Sequence, residues 1–173
     1  MQQYLYTTSR VGLSIWLESD LELASSLWGN KDVMQFLSSD GFYTAQQIKD
    51  RLSTEIENYN LYNVQYWKLY ELETSKFMGC CGLKPYNEQE NAYELGFQLL
   101  PQYWGKGYAE ECSRFCLSHA LSDLHATNIF AAHHPDNLGS KKLLTKLGFE
   151  QWSVIYYEPT GLEHPYYKYS KIV

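Results

Sequence analysis

Between Val64 and Leu100, three strand-like runs follow one another with almost nothing between them. They read "VQYWKLYEL", "FMGCCGLKPY" and "NAYELGFQLL", joined only by "ETSK" and "NEQE". Aromatic and apolar runs bounded by turn residues predict three strands, and joints this short predict an antiparallel meander. At Leu100 the pattern breaks. The next stretch, "PQYWGKGYAEE", holds two glycines between a Trp and a Tyr, and a helical period follows. In "GYAEECSRFCLSHALSDL", Tyr108, Cys112, Phe115, Cys116 and His119 recur on one side, with Glu110, Glu111, Ser113, Arg114 and Ser118 mostly elsewhere. A short strand, "NIFAAHH", and a helix, "DNLGSKKLLTKLGF" ended by Gly148, come next. Strand–helix–strand–helix in the second half suggests a parallel pair inside a mixed sheet, so the fold class expected is α/β with one mixed sheet.

The flanks fill in this frame. A first strand is predicted over Arg10–Trp16 and a helix near Asp20–Leu27, capped by Ser19 or Asp20. "SSDGFY" reads as a loop, and Thr44 caps a second helix over Ala45–Tyr59. "QWSVIYYE" and "YYKYSKI" form a closing hairpin joined by "PTGLEHP". No repeat, low-complexity run or linker divides the chain, so residues 1–173 read as one domain.

Bulk charge and composition narrow the classes of partner. A net charge of −6 argues against a nucleic-acid surface. No stretch is apolar and long enough to span a membrane, and "MQQYLYTTSR" lacks a signal-peptide pattern, which points to the cytoplasm. The four cysteines have no disulfide-like spacing.

The glycine pair carries the first chemical signal. A strand ends at Leu100 and a helix starts near Gly107, where unpaired backbone N–H groups and the helix dipole favour an anion. Glycines let further N–H groups turn toward the same point, which is how a pyrophosphate is cradled. A plain strand–helix turn accounts for the same residues, and the motif is neither a Walker loop nor G-x-G-x-x-G.

Gln102-x-x-Gly105-x-Gly107 resembles the Gln/Arg-x-x-Gly-x-Gly/Ala signature of the GNAT superfamily of acetyl-CoA-dependent N-acetyltransferases. "YELGFQLLPQYWGKGYAEE" followed by "HPDNLGSKKLLTKLGF" looks like its RimJ/RimL-type branch. Two motifs in order and at the right distance make the match specific. The order of elements also agrees from Arg10 to about Tyr169. The resemblance implies a sheet with splayed central strands and acetyl-CoA in the cleft between the strand ending at Leu100 and that ending at His133. It places the pyrophosphate on the backbone of Gln102, Tyr103, Trp104, Gly105, Lys106, Gly107 and Tyr108. It runs the pantetheine along Gln98, Leu99 and Leu100, and it brings Asn137 and Ser140 toward the pantetheine and thiol. Many relatives carry a tyrosine acid four residues before the helix-ending glycine. Leu144 stands there in this chain, leaving Ser140 as the acid, or none.

Acetyl transfer from a thioester needs a neutral amine. A lysine-like amine gives up roughly 4–5 kcal/mol to be neutral at pH 7, an α-amine only about 1. Glu94 is the candidate base. Period 2 sets Tyr93, Leu95, Phe97 and Leu99 on one face of their strand and Glu94, Gly96 and Gln98 on the other, with a side-chain-free gap beside the carboxylate. A carboxylate bonded to a neighbouring strand would look the same in sequence. Cys112, Cys116 and His119 share a helix face as metal ligands could, but packing with Tyr108 and Phe115 explains them and no fourth ligand is evident, so no metal is expected. His134 is read as bonding locally, with a base role as the alternative. "LSSDGFY" and "YYEPTGLEHPYY" are expected to build the acceptor pocket. Asp40, Glu158 and Glu163 would attract a cationic amine, and Phe42, Tyr43, Tyr156, Tyr157 and Tyr166 would line it. The acceptor classes left open are a protein N-terminus, a polyamine, an amino acid or an aminoglycoside, with the protein a monomer or homodimer. Two other readings stand beside the enzyme: a non-catalytic CoA-binding sensor of the same fold, and an unrelated nucleotide-phosphate-binding domain.

Overall fold

A computed structural model describes residues Gln3–Tyr169. Its centre is the meander: β3 (Tyr66–Glu71), β4 (Phe77–Asn87) and β5 (Ala92–Leu99), paired antiparallel in sequence order. β1 (Tyr6–Thr7) and β2 (Val11–Ser14) extend it on one side. β6 (Asn128–Ala132), β8 (Leu162–Tyr169) and β7 (Phe149–Tyr157) extend it on the other. Among the described residues one junction is parallel, β5–β6, in keeping with the parallel pair the sequence suggests. The expected mixed α/β class is therefore met by an eight-stranded sheet in the order β1-β2-β3-β4-β5-β6-β8-β7.

Helices cover both faces. On one lie α1 (Leu21–Trp28), α2 (Lys31–Met34) and α3 (Ala45–Tyr62). α3 begins in a full capping box, with Thr44 Oγ1 accepting from Gln47 N and Gln47 Oε1 accepting from Thr44 N. It ends on Asn63 in the left-handed region, three residues later than the sequence pattern predicts. α3 is knitted to β3 by buried polar groups: Glu55 accepts from the Tyr66 N–H at 2.8 Å and Gln65 Nε2 donates to the Glu55 carbonyl. The Glu55 carboxylate also pairs with Arg51 at 2.6 Å, and the Arg51 guanidinium sits over the Trp28 and Tyr66 rings. On the opposite face lie α4 (Tyr108–Ser122) and α5 (Leu138–Leu147). Cys112 and Cys116 are fully buried there, with Cys116 Sγ 3.8 Å from Cys81 Sγ, and the His119 ring stacks on Phe115. Ser113 is buried with them, a position the helical period had put outside.

Several boundaries differ from the sequence reading. Asp20 precedes α1, yet its carboxylate accepts from Leu17 N and pairs with Lys68 at 2.6 Å instead of capping the helix. β1 and α2 carry too few residues for a periodic signal. The closing turn is tighter than "PTGLEHP": β8 already starts at Leu162, and His164 and Pro165 pair with Ile155 and Val154 of β7. The predicted end of that strand beyond Tyr169 lies outside the described residues. No helix among the described residues is long and apolar enough to cross a membrane.

Candidate active site

β5 and β6 pair only from Ala92↔Asn128 to Glu94↔Phe130. From there β5 stays with β4 as far as Leu99, while β6 stays with β8 as far as Ala132↔Tyr166. The sheet therefore splits into a slot that joins its two faces. Leu100 N donates to Met78 O at 2.8 Å, so by strict alternation the backbone groups of Phe97 and Leu99 face the slot. The strand-like surface expected at Gln98, Leu99 and Leu100 is thus shifted: Phe97 and Leu99 present it, and the Leu99 carbonyl already accepts from the Trp104 indole N–H at 2.6 Å.

A cleft of about 640 Å³ occupies the slot, within the range of small-molecule sites. Of the residues expected at the cosubstrate, Gln98, Leu99, Tyr103, Trp104, Gly105, Gly107, Tyr108, Asn137 and Ser140 line it, and Leu100, Gln102 and Lys106 do not; the candidate base Glu94 also lies outside the lining. The Gln98 side chain is anchored on the α1 side, where its Oε1 accepts from Trp28 Nε1 at 2.7 Å. Sequence reasoning missed the roof, Val33, Phe36 and Leu37 of α2 and the turn after it, and the Lys142 and Lys146 rim of α5. α2 is too short to announce itself, and exposed lysines on a helix carry no spatial signal.

Gly107 is the N-cap of α4, with φ +81° and no side chain to satisfy the first-turn N–H groups. Those donors stay available at the positive end of the helix dipole. The loop is braced from behind. Arg10 Nη1 donates to the Lys106 carbonyl at 3.0 Å, and its guanidinium lies 4.3 Å over the Tyr108 ring. Glu111 accepts from Thr8 Oγ1, Ser9 Oγ, Arg10 N and Arg10 Nε at 2.6–2.9 Å. Burial would raise the Glu111 carboxyl, but these bonds outweigh it and hold its pKa down at about 2. A depressed carboxylate stabilises the fold above its unfolded pKa, ~4.3, and loses that contribution as pH falls toward 2. Glu111→Gln should therefore cost about 1–2 kcal/mol at pH 7, discounted for its partial exposure, and the gap to wild type should close between pH 4.3 and about 2. Urea melts of both proteins along that pH series check it; a gap that persists at pH 2 refutes it.

At the other wall, Asn137 caps α5, its Oδ1 accepting from Ser140 N at 3.0 Å. The Ser140 hydroxyl has no partner among the described residues and opens to the cleft. His133 and His134 also line it. Both ring nitrogens of His133 are engaged, Nδ1 with the His134 carbonyl at 2.7 Å and Nε2 with Tyr167 Oη at 3.1 Å.

Glu94 stands at the apex of the slot, on the α1–α3 face. It is 9% exposed, and both oxygens have partners: Lys84 Nζ at 3.1 Å and the Tyr166 hydroxyl at 3.1 Å. The partners come from β4 and β8, so the bonded-carboxylate reading describes its present contacts; base chemistry would use a remaining lone pair. Burial, then the neighbouring Glu94 charge, raises the Tyr166 phenol, which stays a donor at neutral pH. The side-chain-free gap expected at Gly96 is filled by Tyr66: a methyl at Gly96 would stand 2.2 Å from the Tyr66 hydroxyl. The two segments expected around the acceptor do meet, Ser39 N donating to the Pro159 carbonyl at 2.8 Å. Tyr43, Tyr157 and Tyr166 are partly buried nearby, whereas Asp40, Phe42, Tyr156, Glu158 and Glu163 are exposed.

A mixed sheet split at its one parallel junction, with a glycine-capped helix on one lip and an Asn-capped helix on the other, defines an acyltransferase fold. The chain belongs to the GNAT acetyltransferase family: the model of the acetyltransferase (GNAT) domain matches residues 10–150. It is 28% identical over 143 residues to the uncharacterized protein YkkB of Bacillus subtilis, covering 82% of each chain. It is 24% identical over 148 residues to the uncharacterized N-acetyltransferase YoaA of the same organism, covering 86% of this chain and 84% of that one. In fold it is similar to RimL, a ribosomal L7/L12 alpha-N-protein acetyltransferase solved with coenzyme A. The TM-score is 0.80 at 13% identity, over 96% of this chain and 97% of that one. The family catalyses acyl transfer.

Proposed function

We propose that this protein transfers an acetyl group from acetyl-CoA to a primary amine by direct attack in a ternary complex, as a RimJ/RimL-like N-acetyltransferase. The observation that carries this reading is the slot itself. One lip offers free helix N–H groups at Gly107–Glu110 for a pyrophosphate, and the other offers an unpartnered Ser140 hydroxyl for the leaving sulfur. Because the slot joins both faces of the sheet, the cosubstrate can enter beside α4 and α5 while an amine approaches from the α1–α3 side, near Glu94. Glu94 takes the amine proton directly or through a water. Cys80 and Cys81, fully buried, are unsuited to an acyl-enzyme.

An α-amine is the acceptor that asks least of the site, since it costs only about 1 kcal/mol to hold neutral at pH 7. The likeness to RimL adds support for an α-amino acceptor. Calorimetry with acetyl-CoA, followed by a panel of N-terminal peptides, polyamines, amino acids and aminoglycosides with release of CoA thiol as the readout, tests the proposal. Binding with turnover on a peptide α-amine is expected. Absence of binding would refute it, and binding without turnover on any amine would favour a CoA sensor.

A further inference from the structure

His134 lines the β6 side of the cleft, and the preceding reading leaves its chemistry unused. Its ring is fixed on three sides. Nδ1 accepts from the Asp136 backbone N–H at 3.1 Å. The Phe36 ring lies at 5.3 Å and the His164 ring at 5.4 Å, edge-on. His164 is itself held by Thr160 Oγ1 at 2.7 Å and by the Tyr157 ring at 4.8 Å. The imidazole is therefore locked by a packed shell, as a catalytic group must be. Its side chain is 11% exposed, it lines the cleft, and Nε2 has no partner among the described residues.

The tautomer follows from the Asp136 bond. A nitrogen that accepts carries no hydrogen, so the neutral ring holds its proton on Nε2; the charged ring holds one there as well. In either state Nε2 is a donor. That is the wrong arrangement for a base and the right one for stabilising negative charge that develops on oxygen. His133, one residue earlier, has both nitrogens engaged and makes the contrast within the same cleft.

We propose that His134 is a catalytic residue whose Nε2–H donates to the acyl oxygen of the bound thioester. This rests on the acetyl-CoA reading above. The amine lone pair forms the C–N bond, and the carbonyl π pair moves onto oxygen, where the His134 N–H receives it without giving up its proton. The pair then returns, the C–S bond breaks with its electrons on sulfur, and the amine proton passes to Glu94 and on to solvent. Ser140 serves the sulfur and His134 the oxygen, so the lip that lacks a tyrosine at Leu144 still supplies both donors.

The test uses acetyl-CoA labelled with ¹³C at the thioester carbonyl and needs no knowledge of the acceptor. Calorimetry first establishes binding to the wild-type chain. Isotope-edited infrared spectra of the bound complex should then show the carbonyl stretch at lower frequency than in free acetyl-CoA. His134→Phe keeps a ring against Phe36 and His164 but removes the donor. It should bind acetyl-CoA within about threefold of wild type, lose the downshift, and lower kcat about 100-fold on any amine the panel identifies, the usual effect of deleting one oxyanion donor. His134→Gln, which retains an N–H, should recover part of the downshift and also covers the case in which the Phe variant does not fold. An unchanged carbonyl frequency in a folded variant overturns the proposal while leaving acetyl-CoA binding intact. No binding to the wild-type chain removes both.

Discussion

Gly107→Val should weaken acetyl-CoA binding at least tenfold, and by up to about 100-fold, while the chain stays folded. Two effects add. Gly107 sits at φ +81°, a conformation that costs an L-residue roughly 1–2 kcal/mol and is an outlier for a β-branched one. Relief of that strain would turn the first N–H groups of α4 away from their common focus. The second effect is on the brace. A Cβ at Gly107 stands 3.5 Å from Arg10 Nη2, so the larger valine side chain presses on the guanidinium that holds the Lys106 carbonyl and loosens the loop that presents the N–H groups. Tenfold is 1.4 kcal/mol, which the loss of one or two charge-assisted N–H bonds supplies. Gly161→Val is the control: φ is +69° in the β7–β8 turn with nothing within 4 Å, so it carries similar strain away from the cleft. Calorimetry and thermal melts of both variants separate the cases. Equal CoA affinity for Gly107→Val and wild type would mean that the glycine pair is only a turn.

Glu94→Gln should lower turnover by ~10²–10⁴-fold, the span of a positioned general base, and leave acetyl-CoA affinity unchanged. Affinity is spared because Glu94 lies outside the residues lining the cleft. Stability should also change little. The amide keeps the shape and still accepts from Tyr166, and the lost Lys84 partner is 40% exposed, a pair worth about 0–1 kcal/mol. Steady-state kinetics on an amine found in the panel, with calorimetry alongside, reads both quantities. Turnover equal to wild type would leave Glu94 as the inter-strand clamp that its bonds to Lys84 and Tyr166 already make it.

The motifs that name the family are local, and local patterns survive in sequence. Gly105 and Gly107 stand between a strand end and a helix start, and Asn137 to Ser140 begin the next helix, because backbone geometry at those points admits few residues. The meander was legible for the same reason: its turns are short and its runs are aromatic and apolar. What escaped were the contacts between segments that no motif announces. Nothing near Arg10 indicates that it reaches across to Lys106 and Tyr108. Gly96 read as an empty place beside Glu94, since period 2 describes one strand and is blind to Tyr66 two strands away. α2 and Phe36 in the turn after it carry too few residues for a period, yet they roof the cleft.

The sequence by itself determined a mixed sheet with one parallel junction, a glycine-capped helix after the meander, and the family those motifs define. Only the tertiary structure decided where β5 and β6 part, which backbone groups face the slot, and which side chains are left with an unused donor in it. Dihedral preference and hydrophobic period act within a dozen residues and are written into the chain. The split of a sheet, and the choice between His133 and His134, depend on contacts from strands and helices distant in sequence, which exist only once the chain has folded.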